Sequence, residues 1–244
     1  MAEWLKRLLK RNREQQAFCT AVVPAAGSST RMGGQDKILL TLGDVPVLMH
    51  TLRALDSCPR IQEIVVVTRE DLIVPISQLC REGGFTKVKS VVVGGASRAE
   101  SVLRGIREAS EEAELIAIHD GARPLVSQAV LDEVIRKAEE CGAAAPAVPV
   151  KDTIKQAVGG IVERTPDRSE LFAVQTPQVF DAALIRGALA KALEEGAALT
   201  DDCSAVERIG MKVSLTGGDY RNLKITTPED LVLAEALLEW REKP

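Results

Sequence analysis

The sequence predicts an α/β domain with a mostly parallel sheet, helices on both faces and a protruding β-arm, and three observations predict it. From Cys19 onward, short β-rich apolar runs alternate with segments of helical period. Strand, helix, strand in that order implies parallel strands joined by right-handed crossovers. The turns that follow several of the runs are rich in glycine and polar residues, at the edge where open α/β sheets bind ligands. One stretch, 151–178, breaks the alternation.

Residues 1–17, MAEWLKRLLKRNREQQA, form an extension ahead of a single domain at 18–244. The extension is basic, with Trp4, Leu5, Leu8 and Leu9 clustered on one face if helical. It reads either as a frayed terminus or as a weak membrane-surface or partner helix. Buried strands are expected at 20–23, 64–68, 90–93, 115–118 and 143–150, each short and apolar. Leu48, Thr51, Leu52 and Leu55 repeat at helical spacing; so do Val102, Leu103 and Ile106, and then Val130, Leu131, Val134, Ile135 and Ala138. The third of these helices starts at Ser127, a good N-cap, and stops before Gly142. Within 151–178, apolar and polar residues alternate around Gly159-Gly160, a two-residue hairpin signal. An isolated hairpin is marginal in water, so this arm is expected to pack on a second copy of the chain. A helix follows at 181–195 with Leu184, Ile185, Ala188, Leu189, Ala192 and Leu193 inward. Strands are expected at 212–215 and 223–225. A final helix opens at Thr227-Pro228-Glu229-Asp230, with a cap, a proline at its first position and two acids facing the helix dipole.

The chain has 244 residues, 45% hydrophobic and 27% charged, and a net charge of -4. That balance excludes a sequence-independent nucleic-acid binder, which carries a basic face. No apolar run reaches the roughly 18 residues needed to cross a bilayer, so no membrane span is expected. The five cysteines are scattered, without a C-x-x-C pair, and there are only two histidines. A structural zinc site is therefore not expected, and the thiols fit a reducing cytoplasm.

Three turns carry the candidate chemistry. PAAGSSTRMGGQDK, residues 24–37, matches neither the Walker A spacing nor G-x-G-x-x-G. Its glycines nevertheless let backbone N–H groups approach an anion, and Arg31 and Lys37 add positive charge. HDGARP, 119–124, places Asp120 at a strand end; on the residues alone it is either a Mg²⁺ ligand or the centre of an Asx turn. Arg123 could clamp a phosphate or form a surface ion pair. GGASRAES, 94–101, opens a helix whose N-terminus suits an anion or a nucleotide edge, and Ser101 there is either a ligand contact or a helix-turn residue. His50 reads as structural, and His119 as a packing residue rather than an acid or base.

PAAGSSTRMGGQDK, GGASRAESV, HDGARP, PVKDTIK, DRSELFAVQTPQ, LTDDCSAVE and NLKITTPEDL, in this order, resemble the 2-C-methyl-D-erythritol 4-phosphate cytidylyltransferases of the non-mevalonate isoprenoid pathway. The resemblance runs from about Ala21 to Leu238 and implies a Rossmann-like nucleotidyltransferase fold whose β-arm interlocks two subunits. It implies transfer of CMP from CTP to the sugar-alcohol phosphate, with Mg²⁺ as cofactor. Pro24, Ala25, Ala26 and Gly27 would line the CTP loop, with Gly95 and Ser101 at the base and ribose. Arg31 and Lys37 would stabilise the triphosphate in the transition state, and Asp120 would hold the metal. Arg123, Thr153, Arg168, Thr200 and Lys224 would bind the sugar phosphate, Thr153 and Arg168 from the partner's arm. The sister activity on ribitol 5-phosphate is the alternative. The chain departs from the family pattern in having Asp36 where proline usually precedes the lysine, a shorter loop than some members, Ala96 in place of an acid, and Gly121 within HDGARP.

Overall fold

The computed structural model describes residues 16–27 and 36–242. The extension up to residue 15 and the segment 28–35, which includes Arg31 and Met32, lie outside the described residues. Among the described residues there are twelve strands, numbered in chain order: β1 Cys19–Pro24, β2 Thr41–Leu42, β3 Val45–Pro46, β4 Glu63–Thr68, β5 Val88–Val93, β6 Leu115–Ile118, β7 Ala143–Pro149, β8 Gln156–Val158, β9 Ile161–Arg164, β10 Phe172–Val174, β11 Gln178–Asp181 and β12 Ser214–Gly217. The helices are α1 Val47–Asp56, α2 Ile73–Glu82, α3 Arg98–Glu108, α4 Gln128–Cys141, α5 Ala182–Glu194, α6 Asp202–Arg208 and α7 Pro228–Glu242.

One eight-stranded sheet organises the chain. β1 pairs in parallel with β4 and with β6, and β4 pairs in parallel with β5. Beyond β6 the direction changes: β11 runs antiparallel to both β6 and β7, β10 is antiparallel to the next stretch of β7, and β12 is parallel to β7. The sheet is therefore mixed on one flank and parallel where the glycine-rich turns emerge.

Alternate residues of each central strand enter opposite layers, as period two requires. Ala21, Val23, Ile64, Val66, Leu115 and Ala117 face a core built with Leu48, Leu52 and Leu55 of α1 and Leu131, Val134 and Ile135 of α4. Val22, Val65, Val67, Ile116 and Ile118 face a second core closed by Val102 and Ile106 of α3 and by α5 and α6. With both faces covered, these strands read as unbroken apolar runs, which is why the sequence exposes them. Ser127 caps α4 by accepting from the Val130 N–H, as expected, and Gly142 follows its last residue.

Three differences from the sequence expectation have physical causes. Within 151–178 only β8 and β9 form the free hairpin, closed by Gly159 and Gly160 at φ 57° and 82°, the mirror-image turn that only glycine adopts freely. The chain then returns to β7 through β10. Residues 223–225 are not a strand: the Ile225 N–H bonds the Ala122 carbonyl, and buried Asn222 donates to the Thr176 carbonyl at 2.8 Å. The segment is thus tied to loops instead of to a ladder. The strand expected at 212–215 forms two residues later, as β12. At the start of α7, the Asp230 carboxylate accepts from the backbone N–H groups of Thr226 and Thr227, which ties the chain just ahead of the helix to its first turn. Among the described residues, no helix is long and apolar enough to cross a membrane.

Helix α3 lies very close to the sheet at Gly105, where an added Cβ would stand 2.6 Å from side-chain atoms of both Val22 and Val67. Gly105→Ala should therefore lower stability by about 1–3 kcal/mol through overpacking, read as a lower urea midpoint at unchanged slope.

Candidate active site

Three turns meet at the carboxyl edge of the parallel strands. The turn after β1 is pinned by the Ala25 N–H to the Val67 carbonyl at 2.7 Å, and the Thr68 hydroxyl donates to the Ala25 carbonyl at 3.4 Å. The turn after β6 is drawn against it by the Gly121 N–H, which donates to the Pro24 carbonyl at 3.1 Å. The turn after β5 organises itself: Ser101 Oγ accepts from the Gly95 N–H at 3.0 Å and donates to the Ser97 carbonyl at 2.9 Å. Ser97 caps α3 by accepting from the Glu100 N–H, while the Glu100 carboxylate accepts from the Ala96 N–H at 2.9 Å.

These turns enclose a cavity of about 380 Å³. Pro24, Ala25, Ala26 and Gly27 line it from the first turn, Gly95 and Ser101 from the second, and Asp120 from the third; Lys37 and Lys224 add cations. The residues quoted from three separate motifs are thus brought to one place. Ser101 fixes the turn and also lines the cavity.

Asp120 is the electrostatic centre. It is 7% exposed, with Lys224 Nζ 2.9 Å from Oδ2, Arg123 Nε 3.5 Å from Oδ2 and Arg98 Nη2 3.5 Å from Oδ1. Burial alone would raise its pKa, but the charges of Lys224, Arg98 and Arg123 outweigh burial and hold the carboxyl well below the usual range. Arg123 is turned inward: Nη1 donates to the Asn222 carbonyl at 2.6 Å, so it braces Asp120 and the segment that carries Lys224.

Two side chains that the motifs contain but the sequence reading did not assign complete this cluster. Arg98 also lies 2.8 Å from Asp202 Oδ2, an acid that is 1% exposed at the start of α6. Burial pushes the Asp202 carboxyl up in spite of Arg98. Gln178 of β11 accepts from the N–H groups of Asp202 and Cys203, both at 3.0 Å, which sets α6 against the sheet. Arg98 had a readable signal, a cation at a helix start in GGASRAES; its pairing with Asp202 had none.

His119 is fully buried behind Asp120. Thr176 Oγ1 accepts from the Asp120 N–H at 3.1 Å and lies 3.1 Å from His119 Nδ1, while Nε2 lies 3.2 Å from the Arg123 carbonyl. The pattern assigns the proton to Nε2, with the threonine hydroxyl donating to Nδ1. Burial pushes this imidazole down to about 4. It is a structural residue, as expected.

The remaining expected site residues lie elsewhere. Thr200 borders a separate cavity of about 220 Å³ next to Arg98 and Asp202. Thr153 and Arg168 are exposed on the arm, where Arg168 Nη1 donates to the Lys151 carbonyl at 2.8 Å; neither lines the cavity of its own chain. His50 Nε2 lies 2.9 Å from the Leu42 carbonyl, in keeping with its structural reading.

The family model described as 2-C-methyl-D-erythritol 4-phosphate cytidylyltransferase matches residues 19–240. A protein of that name from Syntrophotalea carbinolica is 46% identical over 225 residues, spanning 89% of this chain and 95% of its own length. One from Desulforamulus reducens is 47% identical over 224 residues, with 91% and 96% covered. The solved structure of 4-diphosphocytidyl-2C-methyl-D-erythritol synthase from Anaerococcus prevotii DSM 20548 is similar at a TM-score of 0.84 and 31% identity, with 92% of this chain and 97% of that one covered.

The His119 pKa lies below its ordinary 6.5, so between pH 6.5 and about 4 the unfolded chain binds a proton that the folded chain does not. Its contribution is complete above that window and is lost as the pH falls through it, on the order of 3 kcal/mol. Urea unfolding from pH 7 to pH 4 should show this loss in the wild type and a flatter profile in His119→Gln; parallel profiles would count against it.

Proposed function

The chain belongs to the 2-C-methyl-D-erythritol 4-phosphate cytidylyltransferase family, and from that premise we propose that it transfers CMP from CTP to 2-C-methyl-D-erythritol 4-phosphate, forming 4-diphosphocytidyl-2-C-methyl-D-erythritol and releasing pyrophosphate. The observation that carries this reading is Asp120, held among Lys224, Arg123 and Arg98 beside a cavity walled by a glycine-containing turn.

In the reaction, an oxygen of the acceptor phosphate attacks the α-phosphorus of CTP. A new P–O bond forms as the bond to the β-phosphate bridging oxygen breaks, and its electron pair leaves on pyrophosphate. A phosphate monoester is largely dianionic at pH 7, so the nucleophile needs no base. His119, buried and engaged at both nitrogens, is not placed to be one. Catalysis then rests on position and charge. Lys37 at the cavity wall stabilises the negative charge of the transition state, and Arg31 is proposed to join it. The Gly95 turn and Ser101 hold the base and ribose. Lys224, with Arg123 behind it, draws in the acceptor phosphate.

Mg²⁺ suits this donor set. Asp120 offers one carboxylate at the cavity, and among the described residues no group of three His, Cys, Asp or Glu could hold a metal alone. Mg²⁺ takes one or two carboxylates together with substrate phosphates. When bound, it would neutralise charge on the triphosphate.

The arm supports a homodimer. Val158, Ile161, Val162 and Phe172 are exposed on or beside a hairpin that is marginal alone. Thr153, Arg168 and Thr200 are proposed as acceptor-binding residues, the first two reaching the partner's cavity. The five cysteines, none in a disulfide, fit a cytoplasmic protein.

Pyrophosphate release with CTP and Mg²⁺ should occur with methylerythritol phosphate and not with ribitol 5-phosphate; release with ribitol phosphate alone would overturn the substrate assignment. Lys37→Ala should lower turnover at saturating CTP on the order of a hundredfold or more. Mixing Lys37→Ala with Arg168→Ala protein, each inactive alone, should restore up to about a quarter of wild-type activity, because a mixed dimer keeps one intact site. No recovery after subunit exchange would rule out the shared site.

A further inference from the structure

Asp36 puts an acid directly before the cation that faces the cavity. Its carboxylate is engaged by Arg69, with Nη1 2.7 Å from Oδ1 and Nη2 2.9 Å from Oδ2. The other edge of the same guanidinium, Nε and Nη2, donates to Asp71 Oδ1 and Oδ2 at 3.1 and 2.9 Å. Paired forks of this kind fix orientation as well as charge, and Asp71 holds the arginine in place for Asp36.

The clamp acts on the backbone around Lys37. The Asp36 carbonyl accepts from the N–H groups of Leu39 and Leu40 at 2.8 and 3.2 Å. On the far side of Lys37, Ile38 is buried in the core, and its carbonyl accepts from the Leu48 N–H at 3.0 Å. Arg69 itself follows Thr68, the last residue of β4, whose hydroxyl bonds the Ala25 carbonyl. The arginine therefore ties the backbone bearing Lys37 to the same sheet edge that supports the turn after β1.

We propose that Arg69 is a positioning residue for nucleotide binding and transfer: it holds Lys37 at the cavity wall and neutralises Asp36, which would otherwise compete with the triphosphate for Lys37. This rests on the cytidylyltransferase reading above. Two consequences separate it from a merely structural ion pair. The acid left alone is worse than no pair, because an unneutralised carboxylate beside the cavity repels the triphosphate. Arg69→Lys keeps the charge but loses the paired fork, so it falls between wild type and Arg69→Ala.

Arg69→Ala, Arg69→Lys, Asp36→Ala and the double variant Asp36→Ala/Arg69→Ala should be compared by steady-state kinetics, by calorimetric CTP binding without acceptor, and by thermal midpoint. Arg69→Ala is expected to weaken CTP binding and raise its KM roughly tenfold, with the acceptor KM unchanged, on the scale of one charge-assisted contact. The double variant should recover part of this loss, because it removes the unneutralised acid but does not restore the clamp on Lys37. Arg69→Ala within twofold of wild type, or a double variant as impaired as Arg69→Ala, would overturn the proposal. If the wild type bound CTP but released no pyrophosphate with methylerythritol phosphate, the functional reading would fall while the calorimetric comparison still decided the role of Arg69.

Discussion

A carboxylate buried at the end of the central strand β6 sets the terms for everything around it. Asp120 is almost out of water, and a charge so placed persists only if it is paired. Its partners come from three distant parts of the chain: Arg98 at the start of α3, Arg123 in the turn after β6, and Lys224 in the segment before α7. One acid thus gathers the turn after β5, the strand end and the C-terminal segment at one edge of the sheet. The same cations that satisfy it supply the positive potential that phosphates require.

Behind this cluster is a polar layer that fixes its geometry. Thr176 joins the Asp120 backbone to His119, and Asn222 bonds the Thr176 carbonyl while its own carbonyl receives Arg123. These are buried groups whose hydrogen bonds run through one another, so displacing any of them leaves a partner unsatisfied. The insertion of β11 between β6 and β7 is what brings Thr176 and Gln178 to this place. The antiparallel flank of the sheet therefore serves the site on its parallel flank.

The sequence was most legible where one local rule decided the outcome. The runs at 64–68 and 115–118 are buried on both faces, Ser127 is a cap, and Gly159-Gly160 closes a hairpin. It was least legible where partners are remote. β11 is four residues long with polar ends, and α6 has seven residues, too few to show a period. Residues 223–225 have strand composition, but their backbone bonds go to the turn at Ala122. At the site, glycine, lysine and aspartate marked the three turns, whereas the Arg98–Asp202 and Arg69–Asp36 pairs join positions that no spacing rule connects. Asp36 stands in the sequence as a departure from the family pattern beside Lys37; in the fold it is half of a paired fork.

If Asp120 holds the cation as proposed, it is the protein's own contribution to a site shared with the nucleotide. Electron paramagnetic resonance of Mn²⁺ in the presence of CTP tests it directly, with wild type compared with Asp120→Asn at matched thermal stability. The variant should need at least roughly tenfold more Mn²⁺ to reach the bound spectrum, as expected when a charged ligand is lost. Equal Mn²⁺ affinity in the two proteins would contradict it.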